Sequence, residues 1–166
     1  MKAMDVLKLR RSVRAFQDKP ISNEILEKLL DAARFAPTAR NIQPWEFVVV
    51  TERKTLKKLG EMAENGRFIA QAAACIAVFC SDTKYYLEDG CAATVNILTA
   101  AVIEGIGSCW VAGDKKPYCA EVAKLLNAPA ALKLVSLIPL GYPESNNSFR
   151  LMEKRSLAEL THWESF

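Results

Sequence analysis

Arg10-Arg11-Ser12-Val13-Arg14 places three guanidinium groups and a hydroxyl within five residues. A planar guanidinium meets phosphate oxygens two at a time and serine adds a donor, so the cluster suits an anionic ligand. The same residues at a helix end also read as a solvated basic patch, or as cations facing the negative end of the helix dipole. A second polar segment is Pro37-Thr38-Ala39-Arg40-Asn41-Ile42-Gln43-Pro44-Trp45. Its donors and acceptors can read the edge of a heterocycle, or serve only the backbone of a helix-to-strand connection. A third, Gly105-Ile106-Gly107-Ser108-Cys109-Trp110, lets backbone approach a ligand closely; a helix cap leading into a strand is the plainer reading. Lys154-Arg155 adds a late basic pair.

Other chemistries find little to build on. The five cysteines (Cys75, Cys80, Cys91, Cys109, Cys119) are odd in number, form no CxxC pair and sit largely in apolar runs. They read as small hydrophobes in a reducing cytoplasm, with no disulfide and no metal site. His162 is the one histidine, so His-based triads and zinc sites are unsupported. Neither GxGxxG nor GxxxxGK[ST] occurs. A net charge of +3, from 22 Lys+Arg against 19 Asp+Glu, is too mild to argue for nucleic acid. The longest weakly charged stretch, 70–81, falls short of the ~20 residues a membrane span needs, and the N-terminus has no secretory pattern.

The elements that must position these segments follow from periodicity. Met4–Leu9 reads as a short helix. Ser22 is a helix N-cap, with Ile25, Leu26, Leu29, Leu30 and Ala33 at helical spacing, and Pro37 ends that helix. Trp45–Thr51 and Cys75–Cys80 read as buried strands, with a helix over 54–63 between them and a helix end over 69–74. Glu88–Glu104 is apolar on nearly every side, hence a helix covered on most faces, in a chain this small at the centre of a dimer. Ser108–Val111 reads as a short strand, Tyr118–Leu126 as a helix, Lys133–Leu140 as a strand and 146–166 as a tail. Leu157, Leu160, Trp163 and Phe166 say that the tail packs on something. With 166 residues, no linker and no repeat, a single domain over 1–166 is expected.

Taken in order, RRSVRAF, AARFAPTARNIQPWEFVVV, EDGCAATVNILTAAVIEGIGSCWVAG, LIPLGYPES and EKRSLAELTHWESF resemble the FMN-dependent nitroreductase family over nearly the whole chain. The resemblance implies an α+β sandwich, a mostly antiparallel central sheet flanked by helices, in an intertwined homodimer with FMN at the interface. By resemblance Arg10, Arg11, Ser12 and Arg14 form the first FMN segment, and Lys154 and Arg155 complete the phosphate site. Pro37, Thr38, Ala39 and Asn41 belong to the loop lent to the partner's flavin. Ser108, Cys109 and Trp110 approach one side of the ring, Leu140 and Gly141 border it, and Asn65 or Gly66 matches a further contact. Ala39 stands where many relatives have serine. Arg40, beside it, either faces the open side of the flavin or is solvated, and the solvated reading is preferred. The chain is short, with little room for a substrate lid.

The activity so implied is hydride transfer from NAD(P)H through FMN to nitroaromatic or quinone-type acceptors, by a ping-pong mechanism. The cofactor carries the chemistry. No catalytic side chain is required, and Arg14 is the candidate electrostatic tuner. The alternative is a non-catalytic FMN-binding sensor or carrier.

Overall fold

Ala74–Ser81 is eight residues without a charge, and in the computed structural model, which describes residues 3–145 and 148–166, it is buried as the inner strand β2. Its alternation sets the layers. Ile76, Val78 and Cys80 pack into one apolar cluster, and Cys75, Ala77 and Phe79 into another on the opposite face. The first cluster is closed by helices α2 (Asn23–Arg34) and α4 (Tyr86–Ile103), the second by α3 (Arg53–Met62) and α5 (Cys119–Leu125). This is an α+β sandwich with a helical layer on each side of an antiparallel sheet.

β1 (Trp45–Val50) pairs with β2 from Trp45↔Cys80 to Val50↔Cys75. On its other edge β2 pairs with β5 (Leu132–Gly141). A bulge falls where Val78 and Phe79 oppose Ser136 and Leu134. Consecutive Val135 and Ser136 therefore both face α4. Val135 joins the α4-side cluster, and the Ser136 hydroxyl shares a 2.8 Å hydrogen bond with Thr94 of α4.

The short strand expected over 108–111 is two fragments, β3 (Gly107–Ser108) and β4 (Val111–Ala112). Both pair with β5 in one register, Gly107↔Gly141 and Val111↔Leu137. In that register Pro139 falls opposite Cys109, and proline has no N–H to give to a ladder. The expected helix end at 69–74 is a 3-10 turn, Arg67–Gln71, joined to β2 by Ala72-Ala73. The other expected elements stand with ends moved by one or two residues. Ser22 caps α2, its hydroxyl accepting from Ile25 N at 3.4 Å. Gly105, at φ 70°, terminates the α4 segment where a left-handed residue is needed.

α1 (Ala3–Leu9) leads into an extended segment, 10–17, laid along β3 and the end of β5. Past Arg150 the chain runs exposed to its end. Its one regular turn, Leu157–Glu159, carries a capping box between Ser156 and Glu159. Asn146, the start of the expected tail, lies outside the described residues. Among the described residues no helix is long and apolar enough to cross a membrane.

Candidate functional site

The 10–17 segment alternates. Val13 and Phe16 point inward and are buried, while Ser12, Arg14 and Ala15 are exposed. Backbone bonds hold it: Val13 N donates to Ser108 O at 2.9 Å, Gln17 N to Tyr142 O at 2.8 Å, and Glu144 N to Ala15 O at 3.1 Å. These bonds bring the first arginine cluster, Ser108 and the end of β5 together. The result is a cavity of about 580 Å3, lined among others by Arg11, Ser12, Arg14, Glu144, Arg150 and Met152. Three guanidinium groups meet one carboxylate there, which favours an anion.

The arginines are not equivalent. Arg11 folds back on α1, donating to Lys8 O at 2.7 Å and to Arg10 O, and so serves carbonyls that a helix end leaves unpaired. Its Nε is buried and has no partner among the described residues. Arg14 is exposed, with Nη1 3.4 Å from Ser12 O and its guanidinium 5.7 Å from the Phe68 ring centroid. Arg10 is half-buried, its amide closing α1 on Val6 O at 3.1 Å.

The polar 37–44 loop lies elsewhere. It borders a separate cleft of about 150 Å3 with Thr83, Lys84 and Tyr85, and that cleft shares no residue with the arginine cavity. Arg40, Asn41 and Gln43 all take positive φ, at 55°, 57° and 53°, and all three side chains are exposed. Thr38 Oγ1 donates to Asp89 Oδ2 at 2.8 Å and accepts from Gln43 N at 3.1 Å; Ala39 N lies 3.4 Å from Asp89 Oδ1.

The remaining expected residues divide. Ser108 and Cys109 are buried, and Trp110 is partly exposed. The Leu140 side chain is fully buried in the core, which leaves its backbone to border a ligand. Gly141 has a packing reason of its own: a Cβ there would lie 2.7 Å from Phe16 Cδ1. Gly66 is likewise hemmed in by Ala63 and Val111, and Asn65 is exposed. Lys154 and Arg155 do not line the arginine cavity of their own chain; Arg155 donates to Glu159 O at 3.0 Å within the exposed tail.

Comparison with known proteins places the chain among nitroreductases. The nitroreductase-family model matches residues 7–87. A protein of Archaeoglobus fulgidus, provisionally named an NADH dehydrogenase/NAD(P)H nitroreductase, is 38% identical over 165 residues, covering 95% of this chain and 94% of that one. The chain belongs to the nitroreductase family. A solved structure from Parabacteroides distasonis, with the same provisional name, matches with a TM-score of 0.92 at 28% identity, covering 99% of this chain and 98% of that one. A provisionally named nitroreductase of Desulfovibrio desulfuricans, solved in complex with FMN, matches with a TM-score of 0.83 at 27% identity over 100% of this chain and 98% of that one.

The family match spans the Arg10–Arg14 and Pro37–Pro44 segments and stops before most of α4. Sequence reasoning missed three groups that the structure brings into play. Glu144 and Arg150 line the arginine cavity, and Asp89 holds the polar loop. The signal available for Asp89 was an acidic pair, Glu88-Asp89, in the first turn of a largely apolar helix, where the dipole favours a negative charge.

Proposed function

We propose that this chain is an FMN-dependent oxidoreductase that takes a hydride from NAD(P)H and reduces nitroaromatic or quinone-type acceptors in alternating half-reactions. The observation that carries the reading is the arginine cavity, an exposed hollow walled by guanidinium groups and the Ser12 hydroxyl. Its donor set fits a phosphate monoester: forked, permanently charged donors and a small hydroxyl. FMN, when bound, supplies the hydride acceptor and donor.

The side chains supply position and field. Ser12 and Arg14 would hold the phosphate and ribityl oxygens from the cavity wall and Arg10 from beside it, since Arg10 does not itself line the cavity, with Lys154 and Arg155 of the exposed tail completing the set from the partner subunit. Arg11, which lines the cavity while engaged with α1, would contribute its charge to that wall. Arg14 would keep a positive charge beside the reduced cofactor. Pro37, Thr38, Ala39 and Asn41 would meet the partner's cofactor, which accords with their distance from the arginine cavity of their own chain. Ser108, Cys109, Trp110 and the backbone at Leu140 and Gly141 would border the ring. The working unit would be a homodimer of single domains over 1–166, in the cytoplasm.

A spectrum before and after NAD(P)H under nitrogen tests this. The protein should bind FMN and lose its flavin absorbance within seconds of NAD(P)H addition. Riboflavin should bind tens of times more weakly, since each charge-assisted phosphate bond contributes about 1.5–3 kcal/mol. Equal affinity for the two ligands would remove the phosphate assignment. Tight FMN binding without bleaching would make the protein a sensor or carrier.

A further inference from the structure

We propose that Asp89 is a positioning residue: it fixes the Thr38–Gln43 loop in the shape in which that loop meets the cofactor of the partner subunit. The proposal rests on the flavin reading above.

Asp89 is 5% exposed, near the start of α4. A buried carboxylate is costly unless its oxygens are satisfied, and no lysine or arginine among the described residues forms an ion pair with it. Both of its oxygens are spent on the loop, one on the Thr38 hydroxyl and one on the Ala39 amide. The Thr38 hydroxyl passes the restraint on, because it also accepts from Gln43 N. One carboxylate thus ties the loop near both ends.

Between those ties the loop makes a single 3-10 turn, Asn41 N donating to Thr38 O at 3.3 Å and Ile42 N to Ala39 O at 3.2 Å, with Gln43 Nε2 on Asn41 O at 3.2 Å, and its backbone is strained. Arg40, Asn41 and Gln43 all occupy the left-handed region, which is unfavourable for residues with a Cβ. Strained backbone persists only where its surroundings over-determine it, and such segments cluster at ligand sites. Here the determining contact comes from a residue 50 positions away in sequence. Thr38 itself sits at φ −145° and ψ 141°, so valine fits its backbone while removing the hydroxyl.

The test titrates FMN into apoprotein and follows amide exchange without FMN. Thr38→Val should raise the FMN dissociation constant at least tenfold, and Thr38→Ser should stay within threefold of the parent. Asp89→Ala should match Thr38→Val, and the double variant should be no weaker than the worse single one, because the two groups act as one unit. The Ala39 and Gln43 amides should exchange at least tenfold faster in Asp89→Ala, with those of β2 unchanged. Thr94→Val removes a buried hydroxyl further along the same helix; it should lower Tm and leave FMN affinity within threefold. If Asp89→Ala does not fold, Asp89→Asn, which keeps the size of the side chain and removes its charge, takes its place in the affinity, double-variant and amide-exchange comparisons. Unchanged FMN affinity in Thr38→Val, or fully additive losses in the double variant, would overturn the role of Asp89 while leaving the flavin reading intact. A parent protein that fails to bind FMN would overturn both.

Discussion

The thiols are set by burial. Loss of solvation raises the Cys75 and Cys80 thiols to about 12, and it also pushes up the half-buried Cys91 and Cys119. The thiolate is the reactive form, so a raised pKa moves reactivity to higher pH. Native protein should therefore react with iodoacetamide more slowly than free cysteine at pH 8, with the rate climbing over a more alkaline window. Fast modification of Cys91 or Cys119 at pH 7 would contradict this. Cys109 is buried, and His162 stacks on Phe166 at 4.2 Å in the exposed tail, so neither is built as a proton relay. Cys109→Ala and His162→Gln should retain NAD(P)H-dependent quinone reduction within about tenfold, or ~1.4 kcal/mol of barrier. Arg14→Ala should lose more, counted per bound flavin. Loss of turnover in Cys109→Ala with FMN fully bound would mean that a thiol takes part in the chemistry.

Among the elements, the junction of the 10–17 segment with β5 decides the shape of the arginine cavity. Phe16 packs where Gly141 has no side chain; a Cβ added there would sit 2.7–2.9 Å from three Phe16 atoms. Gly141→Ala must displace Phe16 and with it the segment that carries Ser12 and Arg14. Overpacking of this kind costs about 1–3 kcal/mol, at roughly 2–4 °C of Tm per kcal/mol for a chain of this size. Calorimetry should show that loss, and FMN titration should show weaker binding. Phe16→Leu in the same protein should recover part of both. A Gly141→Ala protein with parental Tm and affinity would show that the junction yields more easily than its packing implies.

At the scale of the whole molecule, apolar surface is left over. Met4 and Leu7 of α1, Phe35, and Val95 and Ile103 of α4 are exposed, and in the tail Trp163 is 83% exposed and Phe166 fully so. In the proposed homodimer a second copy of the chain would cover these groups. α4 has one face against the sheet and the other open, which refines the expectation of a helix apolar all round. Light scattering should give a dimer. Truncation before His162 should loosen that dimer and release FMN in the same step. A folded, flavin-bearing monomer would refute the arrangement.

The sequence by itself determined what neighbouring residues encode. The 3.6-residue apolar repeat and Ser22 marked α2, the β-branched runs marked β1 and β2, and the near-absence of a polar face marked α4 as a long, largely apolar helix. It also offered an anion-binding candidate, three arginines and a serine in five residues, with a solvated basic patch as the rival reading. Tertiary structure decided which groups reach the cavity. Arg11 and Arg14 line it while Arg10 does not, Leu140 enters the core, and Glu144 and Arg150 join a cavity that no local pattern announces. It also joined Thr38 to Asp89 across 51 positions. Periodicity and capping act through the backbone within a turn or two, so they are legible along the chain. A hydrogen bond between a loop and a distant helix exists only once the sheet has brought them within 3 Å, and no spacing along the sequence records it.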